Sequence, residues 1–183
     1  MQTLKQQVVN ALTLPGMRHL FWPLVRRRAT IFMLHRFQLP ELGISGLDPL
    51  QLRRNLEERR RRHYDLVSLT DVFQSLAQDR PFVKPAVAFS IDDGYADHAS
   101  VGAPAFAAYD CPVTTFVTSG FLDGRLWFWW DRIEYVFRQT RKRQATVTIE
   151  SKPLQYRWEN PAERLSVQTD FTEQCKRTPD AEK

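Results

Sequence analysis

Ala86-Val87-Ala88-Phe89-Ser90-Ile91 is a run of apolar and small residues that stops abruptly at Asp92-Asp93-Gly94-Tyr95. An uncharged run of this length has the composition of a strand buried on both faces. The two acids then fall at the carboxyl end of that strand, where ligands collect in open sheets and barrels. Adjacent residues of an extended chain point in opposite directions. One carboxylate can therefore face a divalent ion while its neighbour faces another part of the same pocket. Such an ion lowers the pKa of bound water, and a nearby carboxylate can take the proton. Gly94 permits backbone conformations that other residues resist. Asp-Asp-Gly is equally ordinary turn chemistry, so the spacing alone leaves both readings open.

On either side of this run, strand and helix signals alternate. Ile31-Phe32-Met33-Leu34 marks a strand over 29–37, expected to be buried on both faces. Asp48-Pro49 reads as an N-cap and first-turn pair for a helix with Leu52 and Leu56 inward. A short strand follows over 64–69. Thr70 is then expected to cap a helix with Val72, Phe73 and Leu76 inward. A helix over 102–109 with Pro104 in its first turn, a strand over 113–118 and a helix over 128–138 complete the alternation. This order predicts an α/β fold with a parallel sheet or barrel. Three parts are expected: an N-terminal helical segment over 1–28 containing a helix over 1–14, an α/β domain over 29–138, and a C-terminal portion over 139–183. In the last part 146–150 and 154–158 alternate and read as a hairpin with Ser151-Lys152-Pro153 at its turn. Asn160-Pro161 opens an amphipathic stretch that ends in the polar residues 178–183.

Composition narrows the function classes. The chain has 183 residues, 43% of them hydrophobic, which is enough for a real core. The net charge of +5 is mild. With no zinc-finger spacing and no aromatic–basic RNA-binding stretch, nucleic acid is not expected as a partner. Cys111 and Cys175 form neither a zinc spacing nor a disulfide framework and read as reduced thiols. Among His19, His35, His63 and His98, no two lie three or four residues apart, so no helical histidine pair for a metal exists. No apolar run reaches the roughly 18 residues of a membrane span. The residues 53–63 hold six Arg and two Glu. Cations favour a helix C-terminus, so this run reads as a solvated helix end. Binding of a membrane surface or polyanion through the arginine runs is the other reading.

Val87-Ala88-Phe89-Ser90-Ile91-Asp92-Asp93-Gly94-Tyr95-Ala96-Asp97 resembles the first motif of the polysaccharide deacetylase (NodB-type) family, Thr-Phe-Asp-Asp-Gly-Tyr after an apolar strand. Three further stretches agree in order. Phe32-Met33-Leu34-His35-Arg36-Phe37 is similar to the family's early Leu-Met-Tyr-His-Arg strand. Ala103-Pro104-Ala105-Phe106 and Cys111-Pro112-Val113-Thr114-Thr115-Phe116-Val117 are similar to its next helix and strand. Gly120-Phe121 and Phe128-Trp129-Trp130-Asp131-Arg132 resemble segments of one bacterial branch. The resemblance implies the N-terminal portion of a distorted (β/α) barrel of the glycoside hydrolase/deacetylase type, with a C-terminal hairpin insertion. It implies removal of acetyl from an N-acetylated polysaccharide or glycolipid by hydrolysis of a carbon–nitrogen bond other than a peptide bond. Asp92 would be the catalytic base and Asp93 a ligand of a divalent metal, zinc by the resemblance. His35 and Tyr95 would line the site.

The family's other two ligands come from a His-x-x-x-His motif, and this sequence has no histidine after His98. In the branch concerned that motif follows an insertion after the tryptophans, and the chain ends within that insertion. The metal site is therefore expected to be incomplete and this chain alone inactive. A non-catalytic fragment or carbohydrate-binding pseudoenzyme is the alternative. His98 reads as a loop or helix-start side chain. Trp127 and Trp129 are candidates for stacking on sugar faces, while the spacing of Trp130 with Ile133 and Phe137 reads as core. The N-terminus lacks a secretory pattern, which points to the cytoplasm, whereas the resemblance allows association with the envelope.

Overall fold

The computed structural model of the protein describes residues 26–149 and 152–178, together with Asn10, Gly16, Leu20 and Pro23. The expected helix over 1–14 lies almost wholly outside the described residues. The chain divides into two compact units, Met1–Thr118 and Ser119–Lys183.

The first unit is mixed α/β. Its described elements run β1 (Ala29–Leu34), α1 (Pro49–Arg61), β2 (Asp65–Leu66), α2 (Leu69–Ala77), β3 (Ala86–Asp93), α3 (Ala103–Ala107) and β4 (Val113–Val117). All strand pairs are parallel. β1 pairs with β3 along Ala29↔Ala86 to Leu34↔Ile91. β2 pairs with β3 at Asp65↔Ala86 and Leu66↔Val87, and β4 from Phe89↔Val113 to Asp93↔Val117. With β1 along one edge of β3, β2 and β4 share the other edge in succession. The central position of β3 explains why Ala86 to Ile91 are all buried. Among the described residues the sheet is open.

Val87, Phe89 and Ile91 share the face that packs on Leu52 and Leu56 of α1 and on Ala105 and Phe106 of α3. Phe89 stacks on Phe32 at 5.6 Å and meets Phe106 at 5.1 Å. Burying each such side chain is worth about 1.5–3 kcal/mol. Asp48 caps α1 by accepting the Leu50 N–H, as the sequence predicts.

Five local expectations change. β1 ends at Leu34, and Ile31 and Met33 are exposed rather than buried. Their side of the sheet also carries Phe116, in register with Asp92, and Phe116 is exposed too. β2 is only two residues long, because the chain turns into α2 at once. Ser68, not Thr70, caps α2: Ser68 Oγ accepts the Asp71 N–H and Asp71 accepts the Ser68 N–H in return. Only Val72 of α2 is buried. Phe73 and Leu76 point outward, since the short β2 leaves no sheet surface beneath them. The helix expected from Gly102 is α3, five residues long, entered through a wide π-type turn at His98–Gly102.

The second unit comprises α4 (Ser119–Leu122), α5 (Trp129–Gln139), β5 (Gln144–Ile149), β6 (Lys152–Arg157) and α6 (Pro161–Arg177). β5 and β6 form the predicted antiparallel hairpin. Lys152 and Pro153 belong to β6 rather than to the turn, which suits a proline on an edge strand. Asn160 caps α6 by accepting the Glu163 N–H. Thr178, expected in a polar tail, is buried with its hydroxyl on the Gln174 carbonyl. Phe137 and Trp158 form the core with Phe171, the rings of Phe137 and Trp158 lying 5.5 Å apart. Trp130, read from its spacing as core, is 36% exposed. It stacks on Phe128 at 4.6 Å at the start of α5, where the helix has no layer above it. No helix among the described residues is long and apolar enough to cross a membrane.

Candidate functional site

Parallel pairing brings the carboxyl ends of β1, β3 and β4 to one edge of the first unit. His35 follows the last residue of β1, Asp92 and Asp93 end β3, and Thr118 follows β4. The Thr118 N–H donates to the Asp93 carbonyl at 3.2 Å. Asp92 and Asp93 are both half-buried and, by strand alternation, belong to opposite faces. Asp93 takes φ +87° and Gly94 φ +91°. Two successive residues in the left-handed region turn the chain sharply out of the strand. Asp is among the few side chains that tolerate such a position.

Asp92 and the nearby Asp97 differ in how their oxygens are satisfied. Asp97 is 2% exposed. Its carboxylate accepts the Phe37 N–H at 2.6 Å and the Arg36 Nε–H at 3.1 Å. Asp92 Oδ1 is buried with no hydrogen-bond partner among the described residues. Leaving a buried acceptor unpaired costs about 1–3 kcal/mol. Asp97 therefore holds the structure together, whereas Asp92 carries an uncompensated oxygen at the strand end.

Asp97 is the residue that sequence reasoning missed. It ties the loop after β3 to the chain after β1, and two neighbours reinforce the tie. The Arg36 guanidinium lies 3.8 Å from the centre of the Tyr95 ring. His98, expected as a loop side chain, is buried and donates from Nε2 to the His35 carbonyl at 2.6 Å. Tyr95 is buried under this cluster, while the His35 side chain is exposed at the edge. The structure thus brings Asp92, Asp93, Tyr95 and His35 to one corner. Trp127 and Trp129 belong to the second unit. There Trp127 is half exposed and meets Tyr135 edge-on at 5.3 Å, and Trp129 meets Trp130 edge-on at 5.4 Å.

The donor set at the corner does not fit the zinc centre that the motif implies. Structural and catalytic zinc take three or four His, Cys or carboxylate ligands. Among the described residues, no three His, Cys, Asp or Glu side chains converge as a ligand set. Asp93 is a carboxylate without the two histidines it would need. His98 gives its Nε2–H to a backbone carbonyl, and its Nδ1 is buried with no partner among the described residues. The arginines of α1 do not form a free patch either. Arg61 and Arg62 pair with Glu58, which holds the Glu58 carboxyl below its usual range. Arg60 donates to the carbonyls of Tyr109 and Asp110, closing the turn after α3.

No family model and no curated protein matches the chain. Two solved structures that do match are deacetylases. The Streptococcus pyogenes deacetylase PplD in complex with acetate is 22% identical with a TM-score of 0.47, over 54% of this chain and 46% of that one. The BpsB deacetylase domain from Bordetella bronchiseptica is 16% identical with a TM-score of 0.40, over 78% of this chain and 70% of that one. The chain spans about half the length of the first.

Proposed function

We propose that this chain carries the carboxylate half of a polysaccharide deacetylase-like site for an N-acetylated sugar, on the front portion of a (β/α) barrel. The observation that carries the reading is the buried, unpaired Asp92 Oδ1 at the carboxyl end of the central strand. A turn built only for structure would satisfy that oxygen, as Asp97 is satisfied. In a complete site, Asp92 would accept the proton of the water that attacks the amide. The carbon–nitrogen bond then breaks, acetate leaves, and the amine takes up a proton. Asp93 and the left-handed turn at Gly94 set the floor of the corner, and His35 and Tyr95 border it.

The missing histidine donors favour a chain that binds such a sugar without turning it over. Titration of isotope-labelled protein with triacetylchitotriose tests this, with its fully deacetylated counterpart as control. The acetylated sugar is expected to shift the amides of His35 and of residues 92–95 more than the control, with no acetate released. Shifts confined to other residues, or equal shifts with both sugars, contradict the assignment.

A further inference from the structure

The second unit holds a basic cavity that the deacetylase-like reading does not use. The turn Arg141-Lys142-Arg143, between α5 and β5, faces the start of α6 across a cavity of about 240 Å³, with Trp158, Glu159, Asn160 and Arg164 on the far wall. Four cations thus meet one carboxylate. Arg143 pairs with Glu159 at 3.3 Å. Arg141, Lys142 and Arg164 have no ion pair among the described residues. Elsewhere in the unit Arg138 pairs with Glu134 and Lys176 with Glu173, while Arg132 and Lys152 have no ion pair among the described residues. Three unpartnered cations around one concavity repel each other, and an anion bound among them relieves that repulsion.

The walls are fixed in place. The Trp158 N–H donates to the Arg143 carbonyl at 2.9 Å, and Trp158 is buried against Phe137. Glu163 closes the α6 N-terminus itself, accepting from the Glu159 N–H and the Asn160 side chain. The helix end therefore adds little, and the attraction comes from the side-chain cations. A second cavity of about 740 Å³ adjoins the first and shares Lys142, Arg143 and Glu159 with it. Its other lining includes Gln144, Thr146 and Arg157, side chains suited to hydroxyl groups. Sites for whole small molecules run from about 300 to 1,000 Å³. The first cavity is smaller than that and matches a single anionic group, while the second matches a polar body attached to it.

We propose that this cavity binds a phosphoryl group. Guanidinium forks recognise phosphate oxygens two at a time, and a dianion answers the surplus of cations better than a carboxylate. The proposal is independent of the deacetylase-like reading, since it concerns residues 140–164 and not the corner at Asp92.

The test titrates the intact labelled chain with inorganic phosphate, with glucose 1-phosphate and with phosphatidylcholine vesicles containing phosphatidylglycerol. Both soluble phosphates are expected to shift the amides of residues 140–143 and 158–164. A sugar source is marked by added shifts at 144–146 and tighter binding of glucose 1-phosphate. A lipid source is marked by tighter binding to the vesicles, with the same residues shifted. The double variant Arg141→Gln/Arg164→Gln, altered at solvent-facing cations, should weaken binding at least about tenfold and leave the melting temperature unchanged. Three results overturn the proposal: no shift with either soluble phosphate, shifts spread equally over Arg59–Arg62, or binding unaltered in the double variant.

Discussion

At Gly94 the backbone has φ +91°, and a Cβ there would lie 2.9 Å from Val117 Cγ1 on β4. Gly94→Ala is therefore expected to cost about 1–2 kcal/mol from conformation alone, measured as a lower urea midpoint. Cys111 is buried, and desolvation pushes its thiol up to about 11 against the weaker opposing pull of Arg60. The neutral thiol is thus favoured by folding. Its contribution is fully present below about pH 8.5, the ordinary thiol pKa, and is lost as the pH rises to about 11. Comparing wild type with Cys111→Ala in urea at pH 8 and pH 11 checks this, and the wild-type advantage should shrink at the higher pH. At this scale the acids of the corner were legible, because two acids and a glycine after an apolar run leave few placements. Which of the acids is structural was not legible. Asp97 looks no different from Asp92 in sequence, and its role depends on Arg36 and Phe37, some sixty residues away along the chain.

Among the elements, the π-type turn before α3 is closely packed against Phe37. A Cβ on Gly102 would stand 2.5 Å from Phe37 Cε2, and Phe37 is fully buried. Gly102→Ala must displace that ring, which costs about 1–3 kcal/mol and is read in a thermal melt. The helices and strands themselves were largely readable. Asp48 and Asn160 announce α1 and α6, and strict alternation announces the β5–β6 hairpin. Burial was less readable, because it depends on the facing layer rather than on the element. Ile31 and Met33 have the pattern of a doubly covered strand, yet β1 is an edge strand of the described sheet and both are exposed. Phe73 and Leu76 have helical spacing with Val72, yet β2 is too short to receive them. Thr70 lost the cap to Ser68 because Asp71 completes a reciprocal pair only from that register.

For the molecule as a whole, the parallel sheet and its ordered helices were legible, since alternating strand and helix signals admit few other arrangements. The division into two units at Thr118 and Ser119 carries no comparable mark in the sequence. Under the deacetylase-like reading, the end of β3 is shaped for a ligand and not for stability. Functional sites hold strained or unpaired groups that the rest of the fold must offset. Equilibrium urea unfolding of Asp92→Ala beside Asp97→Ala tests this most directly. Asp97→Ala should lose about 2–3 kcal/mol with its two charge-assisted hydrogen bonds. Asp92→Ala should be at least as stable as wild type, because it removes a buried oxygen that has no partner. A loss at Asp92 as large as that at Asp97 would contradict the account and make the corner a structural turn.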